Sequence, residues 1–423
     1  MTLYGELQLR EKTGNPIKVG VIGAGQMGRG MIAQIASIPG MIVTGISDLS
    51  LDYAQKAKEA YLASAKVKND VLISTDAKEI IHSDWNEVIV DATGVPEAGA
   101  KIALEALLAK KHLVLLNVEI DITIGPLMHK LYDSAGLIYT GSEGLIYTGS
   151  DGDEPAATTE LFEFASSMGM EVLVAGKGKN NQLNISANLA TAEKEAQKKQ
   201  MAPHMLAAFQ DGTKTMAEMN LLSNAIGYIP DKVGMHGLKG DLDSVITSLD
   251  LKENGGVLSQ FGVVEYVDGL APGVFVIVKG QNSEVAEEMN YLMKKGERDH
   301  HILYRPYHLA SLETPITIAK AVLQQDHAIV PLGAPISETV AVAKKDIQPG
   351  DHLDGIGGFC VRGVLETHEE MKREGHIPIG LISGEVVAKR FIRAGSFLTE
   401  DDVELDASTT VWQLRHLQDT TLS

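Results

Sequence analysis

The chain has 423 residues, 44% hydrophobic and 22% charged, an ordinary globular composition too long for one core. Its formal net charge of −19 argues against nucleic acid as a partner, since most of this surface repels phosphate, and the lack of a run of eighteen apolar residues predicts no membrane span. The first fourteen residues mix both charge signs and predict no secretory leader; Cys360, the only cysteine, excludes an internal disulfide or a thiolate metal cluster and fits a cytoplasmic setting.

Residues 17–22 predict a short strand rich in β-branched side chains. Gly23-Ala-Gly25-Gln26-Met27-Gly28 follows, then a helical stretch over 29–37 stopped by Pro39-Gly40, then a second strand over 41–47 ending at Asp48. This is the spacing of a dinucleotide-binding βαβ unit. Gly23 allows the tight turn, Gly25 lets the backbone approach a pyrophosphate, Gly28 lets the helix pack on the strand, and the helix N-terminus faces the phosphates, with Gln26 and Met27 of the same motif expected at the cofactor. Asp48 lies 20 residues past Gly28, where a carboxylate accepts from the ribose hydroxyls and repels a 2′-phosphate. NAD is therefore expected over NADP. Capping of the next helix is the alternative role for Asp48.

The α/β alternation continues with a strand over 87–92 ending at Thr93-Gly94-Val95-Pro96, a helix over 97–110 and a strand over 112–116 ending at Asn117-Val-Glu119. Ligands bind at the carboxyl ends of such strands, so Thr93, Gly94, Asn117 and Glu119 are expected near the cofactor, with turn and capping chemistry as the alternative for the last two. Residues 135–142 and 143–150 are then a tandem duplicate, identical at seven of eight positions. Either copy suits the sixth strand, and the other is expected to bulge as a loop.

A helix over 156–168 and a strand over 171–175 lead into Gly176-Lys177-Gly178-Lys179-Asn180-Asn181. Read as a loop, this cluster suits an anionic or polyhydroxyl substrate, and a desolvated lysine there can carry a proton; a solvated basic turn is the bland alternative. Lys214 and Glu218 sit four apart in a predicted helix over 213–225, either at a site or as a surface pair. Strands over 263–266 and 273–279 flank a Pro-Gly turn. Arg305-Pro-Tyr-His308 then offers a guanidinium for an oxyanion and an imidazole for proton transfer. The adjacent His300 and His301 point apart on most backbones and do not make a metal pair, and Cys360 reads as a buried structural thiol.

Beyond 331 the texture changes. The stretch 342–353 recurs at 387–398, an offset of 45 residues sharing Val, Ala, Lys, Ile, Gly and Leu, which predicts a small pseudo-symmetric β domain. Residues 410–418 predict a short amphipathic helix.

Taken together, Gly23 to Gly28, Asp91-Ala-Thr-Gly-Val-Pro96, Asn117-Val-Glu119, Gly152-Asp-Glu-Pro155, Gly176 to Asn181, Arg305 to His308 and the repeat resemble the deoxyxylulose-5-phosphate-reductoisomerase-like proteins, a group related to homoserine dehydrogenase with a C-terminal SAF domain. The resemblance spans nearly the whole chain. It implies an α/β architecture: a Rossmann domain of doubly wound parallel sheet over 1–155, an α/β substrate and oligomerisation domain over 156–330, and a β-rich SAF-like domain with a final helix over 331–423. It also implies a homo-oligomer and an NAD(P)-dependent reaction on a small hydroxy or keto substrate. Lys177, Lys179, Asn180, Asn181, Lys214, Arg305 and His308 would line the pocket, with Glu154 at its edge. Two departures stand out: the reductoisomerase uses NADPH and carries basic residues after the second strand, where this chain has Asp48, and the duplicated octapeptide looks like an insertion.

The leading expectation is hydride transfer on a sugar acid, polyol or sugar phosphate, with Lys177 or Lys179 moving the hydroxyl proton. The alternatives are an oxidoisomerase, which would need a divalent metal or a further acid/base pair among Asp153, Glu154 and Glu218, and a regulatory protein that binds NAD without turnover. A metal site is not specified by the sequence.

Overall fold

The computed structural model describes residues 1–139, 145–179, 181–199, 201–293 and 299–422. The chain divides into two compact units, one of Met1–Asp153, Leu309–Val330 and Ala407–Ser423, the other of Glu154–His308 and Pro331–Asp406.

The first unit holds six parallel strands: β1 (Ile17–Ile22), β2 (Met41–Ser47), β3 (Leu72–Ser74), β4 (Val88–Asp91), β5 (His112–Leu115) and β6 (Tyr147–Gly149). Their order is β3-β2-β1-β4-β5-β6. Both faces are covered, so the central strands are almost wholly apolar. Val19, Val21, Val43 and Val90 pack with Met31 and Ile35 on one side, and Ile89, Leu113 and Leu115 with Ala103 and Ile124 on the other. The order reverses between β1 and β4, the point where doubly wound sheets bind ligands.

The first glycine-rich helix spans Gln26–Ile35, starting directly after Gly25 and three residues earlier than expected. A helix that the sequence reading did not foresee, Val118–Tyr139, takes up the start of the first octapeptide copy, and β6 comes from the second copy. The expected loop is therefore replaced by helix as far as Tyr139; the rest of that copy lies outside the described residues. The final helix, Thr410–Thr421, packs on the same unit: Arg415 Nη1 donates to Thr123 O at 3.1 Å and Leu127 N to Gln418 Oε1 at 3.0 Å. Among the described residues no helix is long and apolar enough to cross a membrane.

The second unit is built on a mixed sheet of β7 (Glu171–Lys179), β8 (Ile229–Pro230), β9 (Leu238–Lys239), β10 (Val263–Asp268), β11 (Val274–Lys279) and β12 (His300–Arg305). Its order is β12-β11-β7-β10-β8, with β9 also on β10. β10 runs parallel to β7, whereas β11 is antiparallel to both β7 and β12. The helices Glu154–Ser167 and Thr213–Ile226 cover one face through Ala165, Met216, Met219 and Leu222.

Residues 331–406 add β13 (Ser337–Ala343), β14 (Val361–Thr367), β15 (Val387–Ala388) and β16 (Val403–Glu404). The 45-residue repeat is a two-fold in the backbone. Ile347 and Ile392 exchange both hydrogen bonds, at 2.8 and 3.0 Å, and Val342 bridges Phe397 as Val387 bridges His352. Cys360 is buried just before β14, and burial together with the charge of Asp354 pushes its thiol pKa up, as suits an inert thiol.

Candidate active site

The glycines after β1 divide by function. Gly23 has φ +100°, and a Cβ there would lie 2.7 Å from the Ala92 carbonyl oxygen; at Gly28 it would lie 2.0 Å from the Gly23 oxygen. Both serve packing. At Gly25 no described atom lies within 4 Å of a Cβ, and Gly25, Gln26 and Met27 are exposed at the helix N-terminus, where first-turn amides have no helical acceptor. This open, amide-lined turn fits a pyrophosphate. Asp48, half-buried, accepts from Ala24 N and Ser50 N, both at 2.8 Å, and so ties the end of β2 to the glycine loop. Ser50, not Asp48, is the N-cap of the helix Leu51–Ser64.

Thr93 and Asn117 belong to a network around Asp91, the first residue of its motif, to which the sequence assigned no role. Thr93 donates to Asp91 Oδ1 through its amide at 2.9 Å and its hydroxyl at 2.7 Å, and Asn117 Nδ2 donates to Oδ2 at 2.9 Å. Burial pushes the Asp91 carboxyl up to about 6 against these hydrogen bonds. Asn117 and Glu119 are both buried, and Gly94 takes a φ of +68° beside them.

In the second unit the expected Gly-Lys-Gly-Lys loop is a strand: β7 continues to Lys179. A Cβ on Gly176 would lie 2.1 Å from the Glu265 oxygen, and on Gly178 it would lie 2.2 Å from Ala271 N. The glycines thus accept close backbone neighbours on one face, and the period of two sends both lysines to the other. Neither is a solvated turn residue, with Lys177 4% and Lys179 6% exposed.

Lys177 Nζ donates to Glu154 Oε1 at 2.7 Å and also to Glu218 Oε2. His308 Nε2 stands 3.4 Å from the same Glu154 oxygen. Glu154 opens the helix Glu154–Ser167, and Glu218 lies inside Thr213–Ile226, so two helices and a strand meet in one chain of charges. Glu154, expected at the edge of the pocket, stands within this chain between Lys177 and His308.

Burial alone would lower the Lys177 ammonium, but the charges of Glu154 and then Glu218 overcome it and hold its pKa above the ordinary lysine value. A lysine held this way is less suited than Lys179 to act as a base. Burial and the Glu154 charge raise Glu218 above the usual carboxylate range. Lys179 goes the other way. Burial first and then the Lys177 charge lower its pKa, and its Nζ donates to Phe209 O at 3.1 Å. Glu154 and Glu218 also belong to a group of carboxylates spaced closely enough to hold a metal ion.

Lys214 and Glu218 are not a surface pair: both are buried, Glu218 bonds Lys177, and Lys214 Nζ lies 5.9 Å from the Phe209 ring centre. Arg305 bonds Glu160 Oε2 at 3.0 Å and lies 4.7 Å from the Tyr307 ring centre. It shares the lysine face of the sheet, since Lys177 pairs with Val274 and Val274 with Arg305, about 10 Å away at two strand spacings. Asn181 lines a separate outer pocket with Gln182 and Glu195, and Asn180 lies outside the described residues.

Three family models match. One described as "Oxidoreductase DRL, catalytic domain" covers residues 152–314, "Dihydrodipicolinate reductase, N-terminus" covers 17–116, and "SAF domain" covers 338–404. None of these descriptions is a homoserine dehydrogenase or a reductoisomerase of deoxyxylulose phosphate. No curated protein matches the chain.

Among solved structures, a probable dehydrogenase from Thermotoga maritima is 15% identical, with a TM-score of 0.43 over 75% of this chain and 91% of that one. A myo-inositol dehydrogenase from Lactobacillus casei, solved with NAD(H) and myo-inositol, is 14% identical, with a TM-score of 0.42 over 75% and 88%. At these values the likeness transfers neither substrate nor cofactor. The family matches make the chain an oxidoreductase with a Rossmann-type sheet and a SAF domain.

Proposed function

We propose that this oxidoreductase is an NAD-dependent dehydrogenase of a small polar alcohol of the sugar acid, polyol or sugar phosphate class. The observation that carries the proposal is the pair of buried lysines on one face of β7, Lys177 held as an ammonium and Lys179 with its pKa lowered by burial. One strand thus offers a permanent positive charge and, two residues on, an amine that gives up its proton more readily than an ordinary lysine.

A bound nicotinamide would supply hydride acceptance and donation at its ring. Gly23, Gly25, Gln26, Met27 and Gly28 would hold its pyrophosphate, Asp48 its adenosine ribose, and Thr93, Gly94, Asn117 and Glu119 the ring side. Lys179, as the free amine, takes the hydroxyl proton as the alcohol is oxidised and returns it in the reverse direction. Lys177 stabilises negative charge developing on that oxygen, and Glu154 with Glu218 keeps Lys177 charged and fixed. His308 on Glu154 gives a route for a proton toward the outside of the cluster. The proposal includes a cytoplasmic homo-oligomer, on the single cysteine and on the resemblance.

The buried Glu154–Lys177–Glu218 trio exceeds what plain hydride transfer requires, and it favours an oxidoisomerase as the second reading. Both are tested by incubating the full chain with NAD or NADH and a panel of sugar acids, polyols and sugar phosphates, following nicotinamide absorbance and resolving the products by mass and NMR. The dehydrogenase reading expects an alcohol–carbonyl pair with an unchanged skeleton and loss of turnover in Lys179→Met. A rearranged skeleton would establish the second reading, and full turnover in Lys179→Met would overturn the assignment of the proton carrier.

A further inference from the structure

We infer that Asp91 is a positioning residue for the bound dinucleotide: its buried carboxylate holds the Thr93–Gly94 turn and the Asn117 side chain in the form that receives the cofactor, and cofactor affinity depends on that carboxylate being ionised. The inference rests on reading the glycine-rich turn as a dinucleotide site.

Asp91 is the last residue of β4, beside β1, where the strand order reverses. It is fully buried and pairs in register with Ile22 of β1 and Leu115 of β5. Oδ1 accepts from the Thr93 amide and hydroxyl, and Oδ2 from Asn117 Nδ2. The same Asn117 nitrogen reaches Thr93 Oγ1 at 3.1 Å and Val95 O at 3.2 Å, so the turn after β4 and the end of β5 close on each other through one carboxylate. That turn also lies against the glycine-rich loop. Ala92 N donates to Ile22 O at 2.8 Å, and a Cβ on Gly23 would lie 3.1 Å from Thr93 N. From the other side, a Cβ on Gly99, in the helix Pro96–Leu108, would lie 2.6 Å from Asn117 Nδ2 and 3.0 Å from Asp91 Oδ2. Asp91 thus ties together the carboxyl ends of β1, β4 and β5, where a doubly wound sheet binds its ligand.

All three hydrogen bonds are donated to the carboxylate. An ionised carboxylate only accepts, whereas a protonated one must also donate, and bonds to the charged form are the stronger. A proton on Asp91 therefore loosens the hold on Thr93 and Asn117. Burial pushes this carboxyl up to about 6, and the Glu119 charge adds to the rise. Glu119 faces it from the first turn of the helix Val118–Tyr139. Tyr147 of β6, bonded to Asp121, is the other titrating neighbour, and the charges of both acids act on it. Ile22, Leu115 and Gly99 carry no charge. The sign separates two effects. A carboxyl raised on folding adds stability below its unfolded pKa and loses it as pH rises through about 6. Cofactor affinity moves the opposite way, falling as pH falls. A carboxylate that only holds the fold would not part the two.

NADH fluorescence titrations on the full chain, from about pH 5 to about pH 8, would compare wild type, Asp91→Asn, Thr93→Val and Thr93→Ser. We expect wild-type affinity to drop about tenfold or more toward the acid end. Asp91→Asn sets an amide against the Asn117 amide; it should bind about tenfold or more weakly at the alkaline end and lose the acid limb. Thr93→Val removes one donor from Oδ1, so Asp91 protonates more readily and the midpoint of the limb moves to higher pH, while Thr93→Ser keeps the wild-type midpoint.

Equal affinity of Asp91→Asn and wild type at the alkaline end, an acid limb that survives in Asp91→Asn, or a midpoint unmoved by Thr93→Val overturns the inference and leaves the dinucleotide reading standing. If wild type binds neither NADH nor NADPH, the dinucleotide reading fails and this inference fails with it. Binding of NADPH in place of NADH overturns the Asp48 argument alone, and the same limb and variants are then read with NADPH.

Discussion

Replacing Lys177 by methionine tests the centre of the site. The side chain keeps most of its volume and loses its charge, leaving Glu154 and Glu218, 9% and 4% exposed at their side chains, without the ammonium that bonds both. Removing one partner of a buried ion pair costs about 3–5 kcal/mol. For a unit of this size that corresponds to a fall in melting temperature of about 6–20 °C. The loss should depend on pH, with a definite sign. In wild type, the Lys177 pKa raised on folding adds stability that is present below the ordinary lysine pKa and lost only as pH rises through the folded value. In the variant Glu218, already raised, is raised further. It therefore favours the folded state below the ordinary carboxylate pKa, and that advantage is lost as pH rises through its folded value. Melting at about pH 5 and about pH 8 should show the larger deficit at the higher pH, and adding Glu154→Gln should recover part of it. A variant that melts within about 2 °C of wild type at both values would refute the ion cluster and the fixed-cation role with it.

The two glycines of the nucleotide loop should separate cleanly. Gly25→Ala meets no described atom and should leave the melting temperature within about 2 °C of wild type while weakening NADH binding at least about tenfold; Gly28→Ala strikes the Gly23 carbonyl and should lower both, as fluorescence titration and melting will show. The rate of alcohol oxidation should rise with pH along a limb below the ordinary lysine value, set by Lys179, because the neutral amine is the working form. That limb should vanish from the pH profile of kcat/KM in Lys179→Met, and a limb that survives would assign it to another group.

The nucleotide domain was legible because its chemistry is local. Gly23, Gly25 and Gly28 each answer a requirement set within a few residues, and Asp48 follows at a fixed distance. The second unit was less legible for a physical reason. Gly176 and Gly178 argue against a strand by propensity, and only the Glu265 carbonyl and the Leu270–Ala271 backbone crossing there make glycine the residue a strand needs. The types at the site were found, yet their partners were not. Glu218 looked toward Lys214 four residues away, whereas its ion pair lies 41 residues back in sequence. Such a pairing is set by topology. Helix Val118–Tyr139 was hidden by Pro126 inside it and by the duplicated residues at its end.

The strand that carries the two lysines has a phase. Inserting or deleting one residue between Glu171 and Ala175 would turn the downstream segment over, driving both ammonium groups into the apolar layer around Val263 and Phe275 and presenting bare glycines to the substrate. Two-residue changes would restore the facing but shift each lysine by one pleat, about 7 Å. Variation in the length of this strand should therefore be strongly selected against, while the exposed turn before it, around Gly169, is free to lengthen.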